Sequence, residues 1–362
     1  MTVINAPAVV TYAKEMSGYS PVTGLYSYSG PGIAQLTISA DVQTAALKAM
    51  GEYQGTVAVY NYKTGEILCA VSTPNYDPDN VPVIDEGDSK FEGIYMNRFT
   101  QSVYIPGSIF KIITTAAAIE EIDDIKEQTF VCTGSYEFGS KAVTCEHIHG
   151  KLDFDSALAQ SCNCAFAQIV KQLGAANLEK YVRLYRITEP VTFDGITTEP
   201  GNFDLSNASA LEVAWSGIGQ HLDQINPCRF LTFLGTIAND GVEISPHIVK
   251  EVCADGRITY QAEAQNNGQV LSEETAQELQ RMMRNNVIEK YGVDNFPDLT
   301  VCAKTGTAQV GGEQKSNAMF AGFITDEEFP WAFMVAVEDG GYGRQVCIPI
   351  LTEILEACME IS

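Results

Sequence analysis

The alternation of apolar and polar residues along the chain predicts two groups of strands separated by a long helical region. Near the start, β-branched runs at 56–60 and 66–72 flank a turn at 61–65, which has glycine where a bulged hairpin needs it. Further strands are predicted nearer the C-terminus, at 300–310, 317–325 and 331–337. Strands from both ends of the chain favour one antiparallel sheet, with helices on its faces and a helical insert.

Helices are predicted where apolar residues recur with a period close to that of an α-helix. The segment 108–121 follows a Pro-Gly pair and is apolar on nearly every face, which indicates a buried helix. A short strand at 34–39 precedes a helix at 41–50, and Asp41 is placed to cap that helix. The remaining predicted helices lie at 155–173, 177–185, 226–239, 272–286 and 345–360.

The N-terminal segment differs in composition from the rest of the chain. Residues 1–35 are rich in Ser, Tyr, Gly and Pro, which indicates a linker or the remnant of an N-terminal region. The chain has 362 residues and is 45% apolar, so residues 36–362 can bury a sizeable core. The first residues do not resemble a signal peptide, and no apolar run reaches the ~20 residues that span a bilayer. We therefore expect a soluble chain, either by nature or because a membrane anchor has been left off.

Charge and cysteine usage narrow the functional classes. The net charge of −24 argues against a nucleic-acid partner, because a phosphate-binding face needs a surplus of lysine and arginine. The ten cysteines do not form the evenly spaced pairs of a disulfide framework. Six of them lie in apolar contexts typical of small buried hydrophobic residues: Cys69, Cys228, Cys253, Cys302, Cys347 and Cys358.

Ser108 stands at the start of a predicted buried helix, with Lys111 one turn further on. The helix N-terminus favours developing negative charge, and a serine becomes an effective nucleophile when a neutral base removes its proton. Burial, together with a second cation such as Lys304, is expected to lower the pKa of Lys111 and so to make it that base. The alternative is a serine that caps its helix and a lysine that extends to the surface.

Ser161 and Asn163 lie two residues apart at a predicted turn within helical sequence. In an extended turn their side chains point the same way, and Cys162 points the other way. The Ser161 hydroxyl can then relay a proton between Lys111 and a leaving amine, while the Asn163 amide holds a peptide carbonyl or orients Lys111. The alternative is a pair of polar residues that simply breaks a helix.

The third motif, after those at 108–111 and 161–163, is Lys304, Thr305, Gly306 and Thr307, which lies on a predicted strand. Alternation puts the two threonines on one side, and Gly306 allows another backbone to approach. An extended peptide can add to this edge, with its carboxylate at Lys304, Thr305 and Thr307. The backbone N–H groups of Ser108 and Thr307 are expected to form an oxyanion hole. The alternative is an ordinary edge strand with solvent-facing polar side chains.

The segment 104–111, Tyr-Ile-Pro-Gly-Ser-Ile-Phe-Lys, resembles the active-serine segment of class B penicillin-binding proteins, with Ile109 where threonine is usual. Further matches lie at 61–68, 74–78, 217–220 and 236–241, and the likeness runs from about residue 34 to the C-terminus. The resemblance implies an α/β (α+β) fold of the penicillin-binding transpeptidase and serine β-lactamase type. In that fold an antiparallel five-stranded sheet is flanked by helices and carries an all-helical subdomain, so residues 36–362 are expected to form one transpeptidase domain.

The resemblance also implies a function. Such domains are peptidoglycan D,D-transpeptidases, which bind the D-Ala-D-Ala end of a stem peptide, form an acyl-enzyme on serine and pass it to an amine of a neighbouring stem. β-Lactams inhibit them, and the chemistry requires no cofactor. Here Ser108, Lys111, Ser161 and Asn163 would be catalytic, and 304–307 would bind substrate.

Location and partners follow from the same resemblance. Family members are usually tethered to the extracytoplasmic face of the bacterial membrane, and often work beside a membrane glycosyltransferase. Two other uses of the three motifs remain open. One is a serine β-lactamase or D,D-carboxypeptidase, and the other is a β-lactam-sensing receptor domain that is acylated without turnover.

A cluster of potential metal ligands surrounds the serine–asparagine turn, and comprises Cys132, Cys145, His147, His149, Cys162 and Cys164. Two histidines and a Cys-x-Cys favour a tetrahedral structural zinc site, although a disulfide between Cys132 and Cys145, or unlinked core thiols, would also fit. The preferred ligands are Cys132, Cys145, His149 and Cys162, with His147 and Cys164 as alternates. Because Cys162 is expected to point away from substrate, the metal would brace the turn without entering the chemistry.

Overall fold

The computed structural model describes residues 2–5, 9–11, 32–77, 81–83, 92–308 and 316–361. Its α-helices are α1 Ala40–Met50, α2 Lys111–Glu121, α3 Phe154–Ala159, α4 Asn163–Leu184, α5 Ala210–Ser216, α6 Pro227–Ala238, α7 Glu273–Asn286 and α8 Gly343–Glu360. Its strands are β1 Thr2–Asn5, β2 Val9–Thr11, β3 Gly32–Leu36, β4 Gly55–Asn61, β5 Ile67–Thr73, β6 Thr129–Cys132, β7 Ser135–Phe138, β8 Lys141–Thr144, β9 Gly150–Asp153, β10 Thr192–Phe193, β11 Ile196–Thr197, β12 Val242–Ile244, β13 Val249–Ala254, β14 Arg257–Gln261, β15 Asn266–Gln269, β16 Val301–Ala308, β17 Asn317–Ile324 and β18 Trp331–Val337.

The central sheet joins strands from both ends of the chain, in the order β16-β17-β18-β4-β5. Every neighbouring pair is antiparallel, which confirms the predicted five-stranded sheet. Strands β17 and β18 are buried along their whole lengths. Helices cover both faces of the sheet, so beyond Asn317 these two strands carry no polar side chains and do not alternate.

Two hydrophobic cores lie on opposite faces of this sheet. On β4, Val57 and Val59 face one way and pack in a core with α1 and α8. Ala58 and Tyr60 face the other way and pack in a core with α2, α6 and α7. The period-two alternation of a strand therefore places a separate helical layer on each side, and α2 carries Lys111 on the second side.

The region between the two halves of the sheet is mostly helical, but it also contains strands. A third core lies among α3, α4 and two small antiparallel pairs, β6 with β9 and β7 with β8. The expectation of an all-helical subdomain is therefore corrected. Turn glycines with positive φ at 134 and 139 allow the chain to reverse direction between these short strands.

Helix boundaries differ from the predictions where local hydrogen bonding decides them. Ser39, and not Asp41, caps α1, because its side chain accepts from the Val42 N–H. The helix predicted at 155–173 is split into α3 and α4, because Ser161 has a φ of 53°. The second half then runs on to Leu184 through a kink at Gly174, which also has a positive φ.

The predicted linker at 1–35 contains β1, β2 and most of β3. These strands join β13 and β14 in a second five-stranded sheet, in the order β14-β13-β3-β1-β2. Residues 12–31 of this segment lie outside the described residues, and the domain boundary at 35/36 stays a prediction. Among the described helices, none combines the length and apolar character needed to cross a membrane.

Candidate active site

The three sequence motifs meet at one place, although each belongs to a different element. Ser108 lies in a 3₁₀ turn, Gly107–Phe110, that leads into α2, which corrects the expectation that it starts the α-helix itself. Ser161 lies at the break between α3 and α4. Lys304 comes from the edge strand β16, and its Nζ lies 3.0 Å from Ser161 Oγ. Lys111 Nζ lies 3.2 Å from both Ser108 Oγ and Ser161 Oγ.

Two glycines allow the serine turn and the strand to approach each other. Gly107 has a φ of 55°, and a Cβ atom there would lie 2.6 Å from the carbonyl oxygen of Thr307. A Cβ atom at Gly306 would lie 3.0 Å from the carbonyl oxygen of Pro106. Any larger residue at these positions would push Ser108 away from the edge of β16.

The contacts of Lys111 suit a neutral amine. Its Nζ lies 2.7 Å from Ser161 O and 2.7 Å from Asn163 Oδ1, both of which can only accept hydrogen bonds. A neutral amine has two N–H groups, and these two acceptors use both of them. The lone pair is then left for a hydroxyl, either of Ser108 or of Ser161. The arrangement therefore directs a basic lone pair at the predicted nucleophile.

The turn that holds Lys111 is itself fixed by two features. Asn163 Nδ2 donates to the carbonyl of Thr144 at 2.9 Å, which turns its Oδ1 towards Lys111. Ser161 occupies the left-handed region, with a φ of 53°, and in this conformation it presents both its carbonyl and its hydroxyl to Lys111. A non-glycine residue held in this region is uncommon, and the surrounding hydrogen bonds stabilise it here.

Burial shapes the electrostatics of both lysines, whose side chains have no exposed surface. Burial lowers the pKa of Lys111 to about 7, against the opposing influence of Cys162, Cys145 and Cys164. The pKa of Lys304 is lowered well below its ordinary value, first by burial and then by the charge of Lys111. The pKa values of both lysines are therefore lowered, in the predicted direction.

The edge of β16 presents the predicted substrate-binding residues. The backbone N–H of Thr305 points out of the sheet, towards Tyr291 Oη at 2.9 Å. Since backbone groups repeat every two residues along a strand, the N–H of Thr307 points out at the same edge, beside the turn that carries Ser108. This placement fits the expected pair of oxyanion donors, whose role stays a prediction.

The four preferred metal ligands also come together, on the side of the 161–163 turn opposite the lysines. The ligand atoms of Cys132, Cys145, His149 and Cys162 all lie within 4.8 Å of one another. Cys145 Sγ is 3.7 Å from Cys162 Sγ, and Cys132 Sγ is 3.4 Å from His149 Nδ1. A tetrahedral zinc ion with ordinary bond lengths separates two sulfurs by ~3.8 Å and a sulfur from a nitrogen by ~3.6 Å. The donor set therefore fits zinc.

The neighbours of the cluster favour one thiolate at Cys145, while the hydrogen bond to Cys145 raises the pKa of Cys162 above its ordinary value. Backbone N–H groups point at two sulfurs, from Cys164 to Cys145 Sγ at 3.3 Å and from Ala165 to Cys162 Sγ at 3.4 Å. A hydrogen bond from Cys162 lowers the pKa of Cys145 to about 4. The alternates lie outside the four: Cys164 Sγ is directed at the carbonyl of Val143, and His147 approaches Cys132 through its backbone oxygen. All ten cysteines are free thiols.

Three groups that contact Thr305, Lys111 and Asn163 were not predicted from the sequence. Tyr291 bonds to Thr305, the Phe166 ring lies 5.3 Å from Lys111 Nζ, and the Thr144 carbonyl fixes Asn163. The Phe166 position carried a signal, because it lies one helical turn after Asn163 on the same helix. Tyr291 carried a weaker one, a tyrosine–glycine pair at a helix end. A backbone carbonyl such as that of Thr144 has no signal in sequence.

A family model described as the penicillin binding protein transpeptidase domain matches residues 55–356. Two curated relatives illustrate the similarity. Peptidoglycan D,D-transpeptidase PbpA of Mycolicibacterium smegmatis is 27% identical over 339 residues, covering 86% of this chain and 68% of the relative. Stage V sporulation protein D of Bacillus subtilis is 29% identical over 346 residues, covering 89% of this chain, but only 52% of its own length is matched.

Solved structures show the same fold. The ceftriaxone acyl-enzyme complex of penicillin-binding protein A from Mycobacterium tuberculosis matches with a TM-score of 0.85 at 22% identity, covering 98% of this chain and 95% of that one. The D,D-transpeptidase domain of a peptidoglycan glycosyltransferase from Eggerthella lenta matches with a TM-score of 0.83 at 26% identity, covering 95% and 86%.

Proposed function

The chain belongs to the penicillin binding protein transpeptidase domain family, and from this premise we propose that it cross-links peptidoglycan stem peptides as a D,D-transpeptidase. Ser108 would form the acyl-enzyme, and β-lactams would inhibit the protein by acylating the same hydroxyl. The names of its relatives support this assignment, since they include peptidoglycan D,D-transpeptidases with 26 or 27% identity. The reaction uses the side chains already described and requires no cofactor.

Acylation begins with proton transfer from Ser108 Oγ to the neutral amine of Lys111, 3.2 Å away. The serine oxygen bonds to the penultimate D-Ala carbonyl carbon, and the negative charge collects on the carbonyl oxygen. The N–H groups of Ser108 and Thr307 are positioned to stabilise that oxyanion. Breaking the C–N bond then releases the terminal D-Ala as an amine, which needs a proton.

Ser161 is placed to supply that proton. Its hydroxyl lies 3.2 Å from Lys111 Nζ and 3.0 Å from Lys304 Nζ, so it connects the protonated Lys111 to the leaving group. The same relay runs in reverse when an acceptor amine attacks the acyl-enzyme and gives up its proton. Lys304 and the hydroxyls of Thr305 and Thr307 would hold the terminal carboxylate of the donor peptide.

The observation that carries the proposal is the geometry of Lys111, whose two N–H groups are occupied by fixed acceptors, while its lone pair is left for a hydroxyl and Ser108 Oγ lies 3.2 Å away. A D-Ala-D-Ala pentapeptide donor with labelled D-alanine as acceptor tests it. A transpeptidase incorporates label into the donor, and Ser108→Ala removes that activity. A β-lactamase would instead hydrolyse benzylpenicillin repeatedly, and a sensor would remain acylated with no turnover of either compound.

We also propose that Cys132, Cys145, His149 and Cys162 hold one structural zinc ion. The mutual distances of their ligand atoms support this assignment, as do the backbone N–H groups that point at two of the sulfurs. Four protein ligands would leave no open position for water or substrate, so the ion would contribute folding free energy only. The ion would stabilise the 161–163 turn, because the middle residue of that turn, Cys162, is one of the ligands.

Location and partners belong to the same proposal. Stem peptides lie outside the cell, so we place the domain at the extracytoplasmic face of the bacterial membrane. A membrane glycosyltransferase that makes the glycan strands is the expected companion. Fractionation of cells that express the full-length protein, followed by co-purification, tests both expectations.

A further inference from the structure

The free edge of β16 is already occupied along most of its length. An unpaired strand edge ordinarily offers hydrogen-bonding groups at every second residue, and a peptide can add to it in more than one register. Here side chains from α7 and from the π-helical turn Val287–Tyr291 fill three successive outward positions. Their contacts are Arg284 Nη1 to Val301 O at 3.1 Å, Asn286 Nδ2 to Ala303 O at 3.0 Å, and Thr305 N to Tyr291 Oη at 2.9 Å.

This occupation leaves Thr307 as the first outward position that a ligand backbone can use. A donor peptide that pairs with β16 would therefore start its pairing at Thr307, beside Ser108. The side chain of Thr305, immediately upstream, remains half-exposed at the same edge. Tyr291 is the last residue of the occupied stretch, and it contacts Thr305 twice.

The Tyr291 hydroxyl has one proton and two contacts with Thr305. Its hydroxyl accepts from the Thr305 backbone N–H, which can only donate. It also lies 3.1 Å from Thr305 Oγ1, and among the described residues it has no further hydrogen-bond partner. Either oxygen could be the donor in this contact, and Thr305 Oγ1 is the acceptor that the described residues offer to the single phenol proton. When the phenol donates, the threonine keeps its own proton free to donate into the cleft.

We propose that Tyr291 is a positioning residue for carboxylate recognition, which makes the Thr305 hydroxyl a committed donor towards the terminal carboxylate of the donor peptide or of a β-lactam. The inference rests on the proposed function, since it takes Thr305 to be a carboxylate ligand. The ammonium group of Lys304 attracts a carboxylate as a point charge, with no preferred direction. A hydroxyl whose oxygen already accepts a hydrogen bond donates its own proton in one fixed direction.

The surroundings hold the phenol in place. Tyr291 is 4% exposed, and its ring packs edge-on against Phe320 at a centroid distance of 5.4 Å. Phe320 lies directly opposite Thr305 in the β16–β17 register, so one side chain aligns both partners. Burial raises the pKa of Tyr291 in spite of its hydrogen bonds to Thr305, which keeps the phenol protonated, and so a donor, at neutral pH.

The test compares a charged ligand with a neutral one in Tyr291→Phe. Second-order acylation rates are measured with benzylpenicillin and with its methyl ester, which has no carboxylate. We expect the rate with benzylpenicillin to fall about 10-fold and the rate with the ester to change less than ~2-fold, because a hydrogen bond to a charged group is lost only with the former. In a Thr305→Val background, Tyr291→Phe should cause no further loss of acylation rate with benzylpenicillin.

Tyr62→Phe is the matched control. It likewise removes a buried phenol hydroxyl that is hydrogen-bonded to a strand of the central sheet, here as a donor to Ile324 O at 3.0 Å, and it lies outside the site. We expect it to leave the ratio of the two rates unchanged. If Tyr291→Phe does not fold, 3-fluorotyrosine at position 291 replaces it. A stronger phenol donor should raise the preference for benzylpenicillin over the ester.

The outcomes separate the inference from the proposed function. If the wild-type protein is not acylated at Ser108 by benzylpenicillin, the proposed function fails before the variants are compared. If wild-type protein is acylated but Tyr291→Phe slows both ligands equally, the tyrosine is structural and the inference is overturned. An undiminished effect of Tyr291→Phe in the Thr305→Val background, or an unchanged rate ratio with 3-fluorotyrosine, would overturn it as well.

Discussion

The turn at 161–163 has two sides with different chemistry. On one side, Ser161 and Asn163 contact Lys111 at distances of 2.7 to 3.2 Å. On the other side, Cys162 meets a second cysteine at 3.7 Å, with a third cysteine and a histidine close by. Three consecutive residues therefore divide between a candidate proton-transfer site and a candidate metal site.

The two sides differ in how their polar groups are satisfied. On the Lys111 side, the two N–H groups of the neutral amine donate to Ser161 O and Asn163 Oδ1, and one lone pair of Lys111 is left for chemistry. On the cysteine side the ligand atoms mainly face one another, an arrangement that a cation stabilises. From this difference we infer that one side of the turn serves proton transfer and the other stabilises the turn. Mutations should separate the two.

Replacement of Lys111 should give the largest effect. Lys111→Met keeps much of the buried volume but removes the base, so we expect acylation by benzylpenicillin to fall about 10²- to 10⁴-fold. Zinc content should stay at the wild-type level, since the other side of the turn is untouched. Stopped-flow acylation and elemental analysis measure the two sides independently. Lys48→Met, on the exposed surface of α1, is the control, and a Lys111→Met rate within ~10-fold of wild type would refute the base assignment.

The pH dependence of acylation should be the next largest effect. The pKa of Lys111 is lowered to about 7 by burial, and the base must be neutral to act. Below this pKa the neutral fraction falls about 10-fold per pH unit, so the rate should rise from pH 5 to 8 by about 100-fold and then level off. Second-order rates measured across this range check the sign. A rate that falls as the pH rises from 6 to 8 would mean that protonated Lys111 is the active form.

Breaking the cysteine side should have a smaller effect on acylation and a large one on metal content. In Cys132→Ser or Cys145→Ser we expect zinc to drop from near one per chain to near zero, and Tm to fall by about 5 °C or more. Acylation should slow about 10-fold, because the turn loses its support. Cys253→Ser, outside the cluster, serves as the control. If wild-type protein is metal-free and fully active, with Cys132 and Cys145 in a disulfide, the cluster is an oxidised cysteine pair and the zinc proposal is wrong.

Cys164 should show the smallest effect. It is buried beside the cluster, but its sulfur is directed at the carbonyl of Val143 instead of at the other ligands. Its contact with the cluster is made by its backbone N–H, which substitution leaves in place. We therefore expect Cys164→Ser to keep its zinc and to be acylated within ~2-fold of wild type. Loss of the metal in this variant would place Cys164 among the ligands.

The sequence was sufficient to predict what depends on side-chain chemistry and periodicity. The strands of the central sheet follow from apolar runs, and the meeting of Ser108, Ser161 and Lys304 follows from three motifs that are useful only together. The choice of His149 over His147 agrees with the geometry, although the assignment of a metal stays a prediction. Residue types at fixed spacing are what a sequence shows directly.

What escaped prediction depends on backbone conformation and on packing between distant segments. The 3₁₀ turn at Ser108 and the left-handed backbone of Ser161 are local deviations that periodicity does not reveal. The role of the Thr144 carbonyl depends on where β8 packs, which no motif encodes. The same holds for Tyr291, since its position results from a π-helical turn that brings it against β16.

We propose that the 161–163 turn serves an acyl-transfer site and a metal site at the same time. Native mass spectrometry of the protein, purified without added metal and then exposed to benzylpenicillin, tests it in a single spectrum. We expect a mass raised by one zinc ion and one penicilloyl group, and in Ser108→Ala a mass raised by zinc alone. A penicilloyl adduct that persists in Ser108→Ala, or wild-type protein acylated at Ser108 with no metal, would contradict it.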